Sequence, residues 1–161
     1  MSPIDPSIAP GSFLVAEDTE ADVLFLRRAM EQTGTKLPLA VVTDGQQATD
    51  YISGRGAYAD RARHPAPSVM LLDLKLPKKS GLEVLAWMKE QGLGSPKVIV
   101  LTSSDELSDI KRAYELGAVA YVVKPASIGI LNKIVKGLES FWKNPHQPAD
   151  SVLGWYIRPL A

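Results

Sequence analysis

Four stretches of this chain run apolar and then stop on a group that can do chemistry. "LVAED" ends on Glu17 and Asp18, "VMLLD" on Asp73, "VIVLTSS" on Thr102, Ser103 and Ser104, and "YVVKP" on Lys124 and Pro125. A charge at the end of an apolar run is costly unless it is paired, bound to metal or chemically used. Three clustered carboxylates raise one another's pKa or recruit a cation. An all-oxygen set suits Mg²⁺, which takes few carboxylates and keeps several waters. A lysine opposite such a metal suits a ligand of phosphate-like charge, and the Thr102 hydroxyl could bond one of its oxygens. Asp73, central among these groups, could attack phosphorus and become an acyl phosphate. Metal and lysine would neutralise the transferring group, and positioning would supply most of the rest.

Singly, each residue has an ordinary explanation. Asp73 could form a turn, Glu17-Asp18 could cap a helix, and Thr102 could start one. Lys124 before Pro125 is common loop chemistry, although a cis bond there would aim the lysine. The conjunction is what capping does not explain: four strand ends, in order, each carry a fitting group.

The positioning elements follow from the apolar pattern. Strands are expected at Phe13–Ala16, Leu39–Val42, Val69–Leu72, Val98–Leu101 and Ala120–Val123. Helices are expected at Ala21–Gln32, Gln46–Ser53, Ser80–Gln91, Asp105–Leu116 and Ser127–Trp142. Ser80 and Glu83 have the spacing of a capping box, and Gly117 is placed to end its helix left-handed. Residues 54–68 read as a loop carrying Arg55, Arg61, Arg63 and His64. Continuous apolar strands alternating with helices predict a parallel sheet covered on both faces. Right-handed crossovers make it a doubly wound α/β sandwich, whose ligands sit beyond the carboxyl ends of the strands.

Composition narrows the function classes. The chain has 161 residues, enough for one core of ordinary size. Eighteen basic residues balance eighteen acidic ones, so the chain is not read as a nucleic-acid binder. Cysteine is absent, which removes disulfides, thiolate metal sites and a Cys nucleophile. The start has neither a basic n-region nor an apolar h-region, and no apolar run spans a bilayer, so a cytoplasmic protein is expected. Residues 1–11 read as an arm, 12–143 as the domain and 144–161 as a tail. Trp155, Tyr156, Ile157 and Leu160 suit docking on the domain or a partner; disorder of the tail is the alternative.

The motifs "FLVAEDTEADVLFLRRAM", "VMLLDLKLPKKSGLEVLAWMK" and "VIVLTSSDELSDIKRAYELGAVAYVVKP" resemble the response-regulator receiver domain of two-component signalling, across roughly residues 12 to 143. The resemblance implies a flavodoxin-like fold of five parallel strands in the order 2-1-3-4-5. It implies that Asp73 accepts a phosphoryl group from the phosphohistidine of a sensor kinase, with Mg²⁺. Asp18 and Asp73 would be metal ligands, helped by Glu17 and by the backbone carbonyl of Lys75. Lys124 would pair with the phosphoryl oxygens, Thr102 would swing in to bond them, and Tyr121 would occupy the aromatic switch position. On this view the protein is no enzyme, catalysing only its own phosphorylation and dephosphorylation. "DGQQATDYISGRGAYADRARHPAP", "DLKLPKKSG" and "SFWK" are similar to a narrower group, the stand-alone receivers that partner bacterial phytochromes and similar kinases. Such members often dimerise through the fourth helix, fifth strand and fifth helix, here through Ile110, Ala113, Tyr114, Tyr121 and the outer side of the last helix; the alternative is that these residues simply fill the core. The tail is too short for a DNA-binding module, so the signal is expected to leave by protein contact, with no DNA or membrane partner.

Two other functions share parts of the pattern. A haloacid-dehalogenase-type phosphatase also uses an Asp after a strand with Mg²⁺, but needs a second Asp two residues on, where this chain has Lys75. A flavodoxin-like flavin binder needs a phosphate-cradling loop after the first strand, where the charges of Glu17 and Asp18 would repel a phosphate. Lys75, where the subgroup often has Asn, and Ser104, two residues beyond Thr102, are expected to alter how water reaches the acyl phosphate. Arg55, Arg61 and Arg63 read as a solvated face, with kinase contact as the alternative.

Overall fold

The structure, a computed structural model, describes residues 11–159. Apart from Gly11, the arm lies outside the described residues, as does Leu160 of the tail. Five strands, β1 Ser12–Ala16, β2 Leu39–Val42, β3 Pro67–Leu72, β4 Lys97–Thr102 and β5 Ala120–Val123, form one parallel sheet in the order β2-β1-β3-β4-β5. Between and after them run α1 Glu20–Thr33, α2 Gly45–Ser53, α3 Gly81–Glu90, α4 Leu107–Glu115 and α5 Ile128–Lys143.

The uninterrupted apolar runs are explained by burial on both faces. Phe13, Val15, Val69 and Leu71 turn to the side of α1 and α5, where they meet Leu26, Leu131, Ile134 and Leu138. Leu14, Ala16, Met70 and Leu72 turn to the other side, against α2, α3 and α4 through Tyr51, Val84, Leu85 and Ile110. Successive strand residues point to opposite faces, so the middle of a strand covered on both is apolar at every position.

Element ends depart from expectation where local chemistry intervenes. β3 begins two residues early, at Pro67, because a proline is tolerated at the first position of a strand. α4 begins later than expected, at Leu107: the Ser104 hydroxyl accepts from the Glu106 N–H at 3.3 Å and donates to Asp109 Oδ2 at 2.6 Å. That side-chain bonding ties the chain ahead of the helix to the helix's first turn. The Ser80 hydroxyl caps α3 by accepting from the Glu83 N–H at 3.2 Å. Gly117, at φ 104°, ends α4 while the Ala118 N–H bonds back to Ala113 O at 3.0 Å.

Within the long loop, Gly56–Tyr58 forms a 3₁₀ turn. Arg61 is no solvated charge. Its guanidinium donates to the carbonyls of Tyr51 and Ile52, both at 2.9 Å, and of His64 at 3.2 Å. The Tyr51 and Ile52 carbonyls belong to the last turn of α2, where intrahelical donors run out. Arg55 and Arg63 remain exposed.

The tail docks on the domain. A short helix, α6 Asp150–Leu153, lies against α5, with Leu153 fully buried. A Cβ on Gly137 of α5 would come within 2.5 Å of Val152 O, so a side chain there would displace α6. Ile157 then bridges antiparallel to Val122, and the Arg158 N–H donates to Tyr121 O at 2.7 Å. The tail thereby covers part of the β5 edge, which would otherwise present unpaired backbone groups.

Candidate functional site

Backbone pairing continues one residue beyond the strands and sets the site in register. The Glu17 N–H donates to Val42 O at 3.0 Å, the Asp73 N–H to Ala16 O at 3.1 Å and the Lys124 N–H to Thr102 O at 2.8 Å. The residue after β1, the residue after β3, the last of β4 and the residue after β5 therefore face one another across the carboxyl edge. Gly81 closes the arrangement: a Cβ there would lie 2.4 Å from Asp73 O and 2.7 Å from Leu74 Cα. With hydrogen alone at that position, the start of α3 presses onto the loop that carries Asp73.

Asp73 is 5 % exposed. Its Oδ1 accepts from the Thr102 hydroxyl at 2.8 Å and the Lys75 N–H at 3.1 Å, and its Oδ2 from Lys124 Nζ at 2.7 Å. Burial alone would raise this carboxyl, but bonds from Lys124, Thr102 and the Lys75 N–H outweigh it and hold the pKa below the ordinary aspartate value. Glu17 goes the other way. Its burial dominates over bonds from Lys124 and the Thr19 N–H, and it is raised. Lys124 Nζ lies 2.7 Å from carboxylate oxygens of Glu17, Asp22 and Asp73. Burial would lower its pKa, yet the three acids win and it stays charged.

Glu17, Asp18 and Asp73 each offer an oxygen within 4.8 Å of the others. Three carboxylates with no sulfur or imidazole fit a hard divalent cation. The predicted residues Glu17, Asp18, Asp73, Thr102 and Lys124 thus stand at one site. Lys75 contributes its N–H, and its side chain is exposed. The Lys124–Pro125 bond is not cis, so the lysine is aimed by its acids; among the described residues the cis bond is Ser95–Pro96. Asp22 is the residue that sequence reasoning missed. It sits in the first turn of α1, which starts two residues after Asp18 and so begins at the carboxyl edge of the sheet.

Thr102 already reaches Asp73. Tyr121 is fully buried, its hydroxyl donating to Ser104 O at 2.8 Å. Ile110 and Ala113, expected on a dimer surface along with Tyr121, are likewise closed inside the protomer's own core because α4 packs them onto the sheet. Tyr114 is half-buried and donates to Arg158 O of the tail at 2.7 Å.

The fold and this edge define a doubly wound α/β protein whose strand ends gather acids, a hydroxyl and a lysine as a cation-and-phosphoryl site would. The chain belongs to the response regulator receiver domain family, whose model matches residues 13–136. It is 36 % identical over 139 residues to the response regulator Rcp1 of Synechocystis, covering 86 % of this chain and 92 % of that protein. It is similar to the crystal structure of RPA3017, a response regulator in red light signalling of R. palustris, at TM-score 0.76 and 36 % identity, over 83 % of this chain and 94 % of that one. The phosphorylated cyanobacterial phytochrome response regulator RcpA matches at TM-score 0.74 and 36 % identity, over 85 % and 96 %. A Mn²⁺-bound form of Rcp1 matches at TM-score 0.71 and 35 % identity, over 84 % and 96 %. No described helix is long and apolar enough to cross a membrane.

Proposed function

We propose that Asp73 is the phosphoacceptor of this response regulator, taking a phosphoryl group from the phosphohistidine of a sensor kinase. The observation that carries the reading is Asp73 itself: 5 % exposed, yet held ionised by Lys124 and Thr102. An Asp73 carboxylate oxygen attacks phosphorus, the P–N bond to the donor histidine breaks, and the imidazole keeps the electron pair. Lys124 neutralises charge on the equatorial oxygens, and the Thr102 hydroxyl donates to one of them. Glu17, Asp18 and Asp73, with the Lys75 carbonyl, would hold Mg²⁺, which supplies further neutralisation when bound. The Mn²⁺-bound Rcp1 structure supports a divalent cation in this family. Tyr121 and Thr102 act together as the switch that reports the acyl phosphate. A bacterial phytochrome is the proposed kinase, supported by the likeness to RcpA and RPA3017.

The test is radiolabel transfer from a phosphorylated kinase. Asp73→Asn should abolish labelling and leave the fold intact; normal labelling of that variant would sink the reading. For output we propose a homodimer through α4, β5 and α5. With Ile110, Ala113 and Tyr121 buried, the contact rests on exposed residues such as Leu107, Lys111 and Arg112. Light scattering of the chain with and without beryllofluoride checks it: a mass of one protomer in both conditions excludes the dimer.

A further inference from the structure

Lys124 is the cation of this site, and the three acids around it are not equivalent. Glu17 and Asp73 belong with Asp18 to the cluster that fits a metal ion. Asp22 lies outside that cluster, on α1, and its carboxylate accepts from Lys124 Nζ at 2.7 Å. When a cation binds, Glu17 and Asp73 share their oxygens with it. When Asp73 carries the phosphoryl group as an acyl phosphate, its own carboxylate charge is gone. Asp22 alone of the three keeps the same charge and the same acceptor role in every loaded state.

Packing does not do this work. A cavity of about 50 Å³ opens beside the lysine, its lining including Asp22, Phe25, Leu101, Lys124, Pro125 and Leu131. The flexible four-carbon stem has room to swing there unless the ammonium is tethered.

We propose that Asp22 is a positioning residue for phosphoryl transfer: by holding one N–H of Lys124 it directs the remaining donors at the phosphoryl oxygens. The inference rests on Asp73 being the phosphoacceptor. Asp22 touches neither substrate nor phosphorus in this role; it acts through Lys124. An uncharged amide at the same place can still accept one hydrogen bond, whereas a methyl group cannot.

The test uses the full chain with Mg²⁺ and phosphoramidate as donor, and two readouts. The first is the phosphorylation rate. Asp22→Ala is expected to slow it about fivefold, the loss of one charge-assisted hydrogen bond, while Asp22→Asn stays within about twofold. In a Lys124→Ala background, Asp22→Ala should add no further loss. The second readout is the lysine ammonium ¹H–¹⁵N signal of Lys124, which should stay sharp in Asp22→Asn and broaden away in Asp22→Ala. Overturning results are a rate in Asp22→Ala at or above that of the unaltered chain, equal slowing by Ala and Asn, slowing that persists without Lys124, or an ammonium signal indifferent to Asp22. The ammonium signal reads the Asp22–Lys124 bond in the unphosphorylated chain whatever the acceptor is. Its failure is therefore distinguishable from failure of Asp73 as phosphoacceptor, which Asp73→Asn tests separately.

Discussion

Removing Lys124 should leave the protein short of a positive charge that a metal ion can replace. Lys124 Nζ contacts three carboxylates at 2.7 Å, and the Glu17 and Asp73 side chains are 7 % and 6 % exposed. Breaking a buried pair from one side costs about 3–5 kcal/mol, because the remaining charge is stranded. The Asp22 side chain, at 41 % exposure, keeps most of its hydration, and water can follow into the vacated space. The expected loss for Lys124→Ala is therefore lower, about 2–3 kcal/mol. For a chain of this size that is a fall in Tm of about 6–9 °C. The deficit should also depend on pH. The Asp73 pKa is lowered in the folded chain, so its contribution is present above the ordinary aspartate value of 3.8 and is lost as pH falls through the folded value. The raised Glu17 works in the opposite sense, favouring the fold only where it holds its proton. The melting curves of the two proteins should thus converge in acid. Added Mg²⁺ should restore more to the variant than to the unaltered chain, since lysine and cation would both draw on the Glu17 and Asp73 carboxylates; at a hundredfold excess over Kd, binding stabilises by about 2.7 kcal/mol. Differential scanning fluorimetry across pH, with and without Mg²⁺, measures all of this. A loss below about 1 kcal/mol in metal-free buffer, or equal Mg²⁺ shifts in both proteins, would refute the reasoning.

Three further outcomes follow from the same geometry. Thr102→Ala should keep the fold but slow phosphorylation of Asp73 about a hundredfold, one oxyanion-type donor being lost; stopped-flow kinetics with phosphoramidate check it. Gly81→Ala should cost about 1–3 kcal/mol by urea unfolding and slow labelling as well, because the new methyl pushes on the backbone of Asp73 and Leu74. Arg61→Ala should cost about 1–3 kcal/mol, leaving the Tyr51 and Ile52 carbonyls without their guanidinium partner, while leaving the labelling rate unchanged.

The strands were legible because the sheet is covered on both faces, which writes uninterrupted apolar runs into the chain even at the partly buried edge strand β2. β2 and β5 match the expected bounds residue for residue. The edge residues Glu17, Asp18, Asp73, Thr102 and Lys124 were legible for a related reason: a strand's last residue projects to a known edge once the sheet is parallel. Asp22 was not, because a residue within a helix can face any direction until the helix is docked. Arg61 was missed because its partners, Tyr51 and Ile52, are reached only when a long loop folds back on α2. Docking of the tail was one of the expected outcomes, from its apolar Ile157; the surface it takes, α5 and β5, was not legible, because Leu153 and Ile157 stand among prolines with no period to announce a face. The start of α4 moved because Ser104 bonds the backbone ahead of the helix, a competition that propensity does not register.

The central claim is that one carboxylate, Asp73, carries the phosphoryl group. Borohydride reduces an aspartyl phosphate to homoserine, so reduction after phosphotransfer from the kinase, followed by peptide mass mapping, reads the acceptor directly. The account predicts homoserine at position 73 and unmodified side chains at 17, 18 and 22. Homoserine at position 18 or 22, or a reduced chain with no homoserine after stoichiometric labelling, would contradict it.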